Sequence, residues 1–130
     1  MNNGDRYEGD FKNGSFDGKG IYYWNNGNRY EGDWKNDKRE GKGIKYFNSG
    51  QLKGNKYEGD FKNGSFDGKG IYYWNNGDRY EGDWKNDKKE GKGIFYWNNG
   101  NREMGDYSSG KAIGRFAALD SNGNVRALNY

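Results

Sequence analysis

From Tyr7 to Lys12 the chain alternates an aromatic residue or glycine with a charged one, Tyr7-Glu8-Gly9-Asp10-Phe11-Lys12. A period of two predicts a strand with one apolar and one charged face. Asn13-Gly14 supplies a tight turn, and Gly18-Lys19-Gly20-Ile21-Tyr22-Tyr23-Trp24 reads as the returning strand. Asn25-Asn26-Gly27 then turns the chain into Tyr30-Glu31-Gly32-Asp33, where the pattern starts again. Parity places Tyr7, Gly9 and Phe11 on one face and Glu8, Asp10 and Lys12 on the other, while Gly18, Gly20, Tyr22 and Trp24 share a face of the returning strand. With the two aromatic sets on the same side, the glycines leave room for rings of neighbouring units to lie over the backbone.

The tetrapeptide Tyr-Glu-Gly-Asp begins at Tyr7, Tyr30, Tyr57 and Tyr80, and a diverged copy, Glu103-Met104-Gly105-Asp106, keeps the phase. Starts 23, 27, 23 and 23 residues apart describe one small unit copied about five times. The units are 7–29, 30–56, 57–79 and 80–102, with a degenerate fifth unit and cap over 103–130. A longer period is superposed, because residues 7–50 and 57–100 differ only at Asn28/Asp78, Arg39/Lys89, Lys45/Phe95, Phe47/Trp97 and Ser49/Asn99. Two unit types therefore alternate; in the second, Trp34 replaces Phe11 and the middle turn reads Asn36-Asp37-Lys38-Arg39-Glu40-Gly41. An isolated hairpin is marginal in water, so stability must come from stacking. Two strands per unit, at roughly 4.8 Å per strand, give an elongated antiparallel ribbon of about 45–50 Å.

Composition narrows the core to aromatic packing. Only 30% of the 130 residues are hydrophobic, but 18% are Tyr, Trp or Phe, and glycine is abundant while proline is absent. Twenty-two basic and 19 acidic residues leave a charge of +3, with the two signs interleaved, so no basic stripe suited to nucleic acid stands out. The chain has no cysteine, hence no disulfide framework, and no signal peptide or membrane span is recognisable; cytoplasmic residence is the expectation. Residues 1–6 match the segment before Tyr80, which suggests the tail of a truncated preceding unit and a fragment of a larger protein.

The pattern Tyr-x-Gly-x-Trp/Phe, a short turn, Gly-x-Gly, an aromatic strand and Asn-Gly at a 23-residue period resembles the MORN repeat family over nearly the whole chain. The resemblance implies an all-β fold, a single curved antiparallel sheet of stacked hairpins with an aromatic groove. It also implies scaffolding, dimerisation and partner binding, often beside an attached enzyme, and phospholipid binding. The groove would be lined by Tyr7, Phe11, Tyr22, Trp24, Tyr30, Trp34 and Tyr57 from the first half. Phe61, Tyr72, Trp74, Tyr80, Trp84, Phe95 and Trp97 continue it. These rings also supply the core, and a helix or extended peptide suits such a surface.

Breaks in the pattern mark candidate specificity. Lys45 stands where Tyr22, Tyr72 and Phe95 stand in other units, just before a turn lengthened by four residues around Gln51-Leu52-Lys53-Gly54. Its stem is expected to lie along a ring with the ammonium reaching solvent, the alternative being contact with a ligand. Phe16 and Phe66 sit where the second unit type has Arg39 and Lys89, and are read as lying in the middle turn. They are either anchors for a partner, spaced along one edge of the ribbon, or rings folded over their own hairpins. The last unit substitutes Ala112, Ile113, Phe116, Ala117, Ala118 and Leu119, as terminal repeats do when they cap an array, whereas the first strand at Tyr7 has no cap and offers an edge for self-association.

Catalysis finds little support. Without His or Cys the usual bases, thiol nucleophiles and transition-metal ligands are missing, so no catalytic, cofactor or metal site is expected. Glu8 and Asp10 share a predicted face, but the same pair recurs in every unit, which favours cross-strand pairing with lysines. Gly18-Lys19-Gly20 lacks the context of a phosphate loop, and Asp120-Ser121-Asn122-Gly123-Asn124 reads as the unit's own turn, not a calcium loop. The leading expectation is a non-catalytic scaffold or protein-interaction module with a protein or peptide partner. Binding to anionic phospholipid is the alternative, and glycan binding a third.

Overall fold

The computed structural model describes residues 3–130; Met1 and Asn2, the start of the predicted tail, fall outside the described residues. The fold is all-β. Eleven antiparallel strands form one sheet in the order β1 to β11, each hydrogen-bonded to its neighbour in sequence. Four hairpins carry the repeating units: β1 (Arg6–Lys12) with β2 (Ser15–Tyr23), β3 (Arg29–Lys35) with β4 (Lys38–Tyr46), β5 (Lys56–Lys62) with β6 (Ser65–Tyr73), and β7 (Arg79–Lys85) with β8 (Lys88–Tyr96). The diverged unit adds β9 (Arg102–Ser108) and β10 (Lys111–Leu119), and β11 (Val125–Asn129) closes the sheet as one more strand. The lengthened turn folds into a short 3-10 element over Gly50–Leu52.

The tetrapeptide is a packing device. Gly9 pairs directly with Gly20 across β1 and β2. A β-carbon on Gly20 would lie 2.2 Å from the Tyr7 hydroxyl, so the ring rests on the bare backbone of the glycine pair. The Tyr7 hydroxyl donates to the Asp10 carbonyl at 2.8 Å, and Tyr30, Tyr57 and Tyr80 repeat the bond to Asp33, Asp60 and Asp83. Tyr30, Tyr57 and Tyr80 are consequently 0% exposed. In the last unit both partners change together: Glu103 takes the tyrosine position and Phe116 the second glycine position, so that the Phe116 ring occupies the space over Gly105. The Tyr130 hydroxyl donates to the buried Glu103 carboxylate, and its ring meets Phe116 edge-on at 5.0 Å.

Beside each glycine pair the register slips, with Gly9 opposite Gly20 but Phe11 opposite Phe16. Asp10 therefore faces three residues of β2, and its carboxylate accepts the Lys19 backbone N–H at 3.0 Å. Gly18, with φ +98°, turns away from the aromatic face; a β-carbon there would meet the Asp10 carboxylate at 2.7 Å. Parity had put Gly18 on the aromatic side, and the bulge reverses it. The same slip places Phe16 and Phe66 inside β2 and β6, after the turn and not in it. Those turns, Asn13-Gly14 and Asn36-Asp37, have positive φ at both central residues, as two-residue hairpin loops require.

Units are stitched at both edges. Asp37 Oδ1 accepts the Phe16 N–H at 2.8 Å and Asp87 repeats this with Phe66, which explains aspartate where the other turn type uses glycine. At the opposite edge the Asn28, Asn55 and Asp78 side chains accept the backbone N–H of Asn48, Asn75 and Asn98, each at 2.8 Å. Asp5 does the same for Asn25, so the segment before β1 is bound as any inter-unit turn is. The turn at Asp120 is closed by Asp120 N to Asn124 O and Gly123 N to Asp120 O, the bonds that Trp24, Asn28 and Gly27 make in the first unit.

Gly70→Ala should force the Tyr57 ring off its seat and lower the unfolding free energy in urea by about 2–3 kcal/mol. Tyr57→Phe, which loses only the bond to Asp60, should cost about 1 kcal/mol. Equal small losses for both would show that the ring-on-glycine contact does not constrain the fold.

Candidate functional site

The two faces differ in chemistry. On the charged face, Lys19, Lys42 and Lys69 pair with Asp33, Asp60 and Asp83 of the next strand, and Lys92 pairs with Asp106 at 3.1 Å. Burial alone would raise the Asp33 and Asp60 carboxyls, but bonds from a lysine side chain and a backbone N–H hold both below the usual carboxylate value. Arg6, Arg29, Lys56 and Arg79 lie over Tyr23, Tyr46, Tyr73 and Tyr96, their cross-strand partners, at 3.7–4.6 Å from the ring centroids. No group of three or more carboxylates that could hold a metal ion occurs among the described residues.

The aromatic face has two levels. Tyr7, Tyr30, Trp34, Tyr57, Phe61, Tyr72, Tyr80 and Trp84 form a buried floor. The floor is bonded across units: Trp34 and Trp84 donate to the Gly20 and Gly70 carbonyls at 3.1 Å, and Tyr30 meets Phe61 edge-on at 4.9 Å. Burial pushes the phenols of Tyr30, Tyr57 and Tyr80 well above the ordinary tyrosine value, with nearby aspartates adding to it and, at Tyr30, the Arg39 guanidinium opposing it. Tyr22, Trp24, Trp74 and Phe95 are half-buried and Trp97 is 37% exposed, forming a second row above the floor. Tyr22 touches Trp24 at 4.9 Å, Tyr72 touches Trp74 at 4.7 Å, Trp74 reaches Phe95 at 5.2 Å, and Phe95 reaches Trp97 at 4.6 Å. Phe47, which sequence reasoning left out, fills the gap in this row, 6.0 Å from Tyr72.

Phe11 departs from the expected lining, and the two candidate edge anchors, Phe16 and Phe66, lie within their own hairpins. Phe11 belongs to the uncovered edge and is 59% exposed, while its counterpart Phe61 is 3% exposed beneath Tyr30. Phe66 stacks on Tyr57 at 3.8 Å and is buried, so it is no edge anchor; its ring is held within its own hairpin. Phe16 stacks on Tyr7 at 3.8 Å in the same way and is half-buried.

Where the first unit type places those phenylalanines, the second places cations. Lys89 Nζ lies 5.3–5.5 Å from the centroids of Trp74, Tyr80, Phe95 and Tyr107. The Arg39 guanidinium lies 5.4 Å from Trp24 and 5.9 Å from Tyr30 and Phe61. The Lys45 ammonium stays among the rings, 5.1 Å from Trp24 and 4.9 Å from Phe47. Among the described residues none of the three cations forms an ion pair. Burial, with Arg39 nearby, pulls Lys45 down to about 8, and burial lowers Arg39 and Lys89 too. A turn position that alternates between Phe and Arg or Lys was the available signal for this arrangement.

Comparison with known families settles what kind of array this is. The MORN repeat model matches residues 7–29, 30–52, 57–79 and 80–102. The chain belongs to the MORN repeat family. The residues between the second and third matches, 53–56, are the insertion that follows Leu52 in this MORN array. Among solved structures, the array is similar to the TCP domain of SAS-4 (dCPAP) of Drosophila melanogaster, solved in complex with a proline-rich motif of Ana2 (dSTIL). Identity is 18% and the TM-score 0.48; 85% of this chain is covered, and the chain spans 65% of that one. The TCP10c domain of Drosophila melanogaster Sas-4 gives 15% identity and a TM-score of 0.36 over 87% of this chain and 93% of that one. Comparison with curated proteins gave no match. No helix among the described residues of the MORN array is long and apolar enough to cross a membrane.

Lys45→Phe, which installs the residue of the second half, should stabilise the array by about 1–3 kcal/mol at neutral pH by removing a charge from among rings. Between about 8 and 10.5 the unfolded chain still holds the Lys45 proton that the folded chain has released, so the parent gains stability as pH rises. The gap between variant and parent in urea titrations should therefore narrow across that window; a constant gap would place the Lys45 ammonium in solvent.

Proposed function

We propose that this MORN array is a non-catalytic protein-interaction module whose aromatic face receives a peptide segment of a partner. One observation carries the reading: the partly exposed row from Tyr22 through Trp24, Phe47, Trp74 and Phe95 to Trp97 packs on a buried floor of other rings. Its members pack on the floor with one flank and keep part of their surface accessible, so the row is apolar surface open to a partner. It crosses from β2 to β8, about 30 Å at the spacing of strands. That length matches about 20 residues of helix or about nine of extended chain. Enrichment of Trp and Tyr is the composition of binding hot spots, and the two-level arrangement keeps them rigid.

Part of the charge distribution weighs against a phospholipid surface: Lys19, Lys42, Lys69 and Lys92 of the charged face are matched to aspartates and the cations of the aromatic face lie among rings, which leaves the exposed turn lysines Lys12, Lys35, Lys38, Lys62, Lys85 and Lys88 as the cations open to anionic lipid. The repeated carboxylates are likewise engaged in strand and bulge bonds, and no catalytic step is assigned to them.

Peptides selected from a random display library on the immobilised protein should be rich in apolar residues. A Trp24→Ser/Trp74→Ser variant that keeps its circular dichroism should bind them at least about tenfold more weakly. Undiminished binding to the double variant would remove the aromatic face from the interaction.

A second contact is proposed at the edge. Among the described residues β1 is bonded only to β2, and the exposed Phe11 lacks the ring that covers Phe61. Two copies pairing at β1 would satisfy both. Sedimentation should show concentration-dependent dimers that Phe11→Ser weakens; a strict monomer at high concentration would refute the pairing.

A further inference from the structure

The two halves of the chain are an internal substitution experiment, since 7–50 and 57–100 share sequence at all but five positions and share the same register. Three of the five differences, Arg39/Lys89, Lys45/Phe95 and Phe47/Trp97, gather at one place on the aromatic face. In the second half Lys89 lies against two adjoining rings, Phe95 and Trp74, at 5.3 Å from each. In the first half the ring of Phe95 is replaced by the ammonium of Lys45. Arg39 and Lys45 then share one indole, with the guanidinium 5.4 Å and the ammonium 5.1 Å from the Trp24 centroid.

This juxtaposition works against folding. Two like charges are drawn out of water onto apolar rings; no carboxylate among the described residues forms an ion pair with either, and Asp87, whose charge reaches both, accepts the Phe66 N–H. The scaffold accepts an aromatic residue at the same place, as Phe95 demonstrates, so packing does not call for the lysine. Next to Arg39 opens a pocket of about 350 Å³ walled by Tyr22, Trp24 and Trp34. Its one carboxylate, Asp37, is engaged by the Phe16 N–H. A fork of guanidinium donors beside an ammonium, with an apolar recess alongside, complements an anion carried next to an apolar group.

We infer that the aromatic face reads an acidic side chain at this position: an Asp or Glu carboxylate of the bound peptide lies between Arg39 and Lys45, and its apolar neighbour enters the recess over Trp24. The inference rests on the peptide-binding reading above and adds the chemical class of the peptide. A peptide is favoured over a lipid headgroup because both cations are half-buried among rings, whereas attraction to a bilayer draws on cations that project to solvent. The second half, with Lys89 enclosed by four rings and Phe95 in place of the lysine, provides no such pair, so the preference is confined to one end of the ring row.

The test is display selection on the parent protein and on Arg39→Lys/Lys45→Phe, which gives these two positions the residues of the second half, a pair the same scaffold already carries at Lys89 and Phe95. Synthetic versions of the selected peptides would then be compared, with each Asp or Glu changed in turn to Asn or Gln. Parent selections should be enriched in acidic residues at one position, and the amide peptide should bind at least about tenfold more weakly to the parent and equally well to the variant. Selected peptides without an acidic preference, or with one that persists in the variant, overturn the inference while leaving peptide binding intact. Failure to select any peptide overturns both. Flotation with phosphatidylserine vesicles that is lost in the variant, without any acidic preference among peptides, reassigns the cation pair to lipid.

Discussion

A tyrosine ring seated on two bare glycines is the contact on which the rest of this structure depends. Tyr7 over Gly9 and Gly20, and its equivalents in the next three units, bring a large aromatic surface against main chain without an aliphatic layer between them. That is how a chain with 30% hydrophobic residues builds a core one sheet thick. The same seat directs the tyrosine hydroxyl to the Asp10 carbonyl, beside the bulge whose Lys19 N–H the Asp10 carboxylate accepts. All four residues of the repeated tetrapeptide thereby have separate tasks: ring, charged face, seat and clasp. The last unit supports this reading through its exception, since the loss of the tyrosine at Glu103 accompanies the arrival of Phe116 at the glycine it would have covered.

Because the floor holds the largest share of the buried rings, the partly buried residues packed on it keep some surface for other contacts. The Lys–Asp ladder on the opposite face has exposed lysines, and each such pair contributes at most about 1 kcal/mol, so its main effect is to hold strand register. The aromatic face carries the variation. There the alternation of Phe16 and Phe66 with Arg39 and Lys89 exchanges a stacked ring for a cation held by rings, and Lys45 doubles the charge at one place only. A repeating array gains a distinguishable position in this way without altering its backbone.

The sequence made the strands legible because aromatic and charged residues alternate with a period of two, and it marked the turns through Asn-Gly and Asn-Asp. The all-β ribbon follows from that periodicity with short connections, and the resemblance to the MORN family rests on the motif and its 23-residue spacing. Parity failed where the register slips. Beyond Asp10 the bulge lengthens the returning strand, so Gly18 faces the carboxylate and Phe16 enters the strand, neither of which a strict two-residue count predicts.

The division of fourteen expected groove residues into a buried floor and an accessible row was not legible either, for Tyr72 and Tyr22 are the same residue in the same motif yet differ in burial. Sequence alone determined the unit, its copies and the alternating face, because those depend on neighbours along the chain. Only the tertiary structure decided which rings remain reachable, that Phe66 is held within its hairpin, and that Arg39 and Lys45 converge on Trp24. These depend on residues brought together across strands and units, where a bulge, a longer turn or a missing neighbour changes the outcome for an identical sequence.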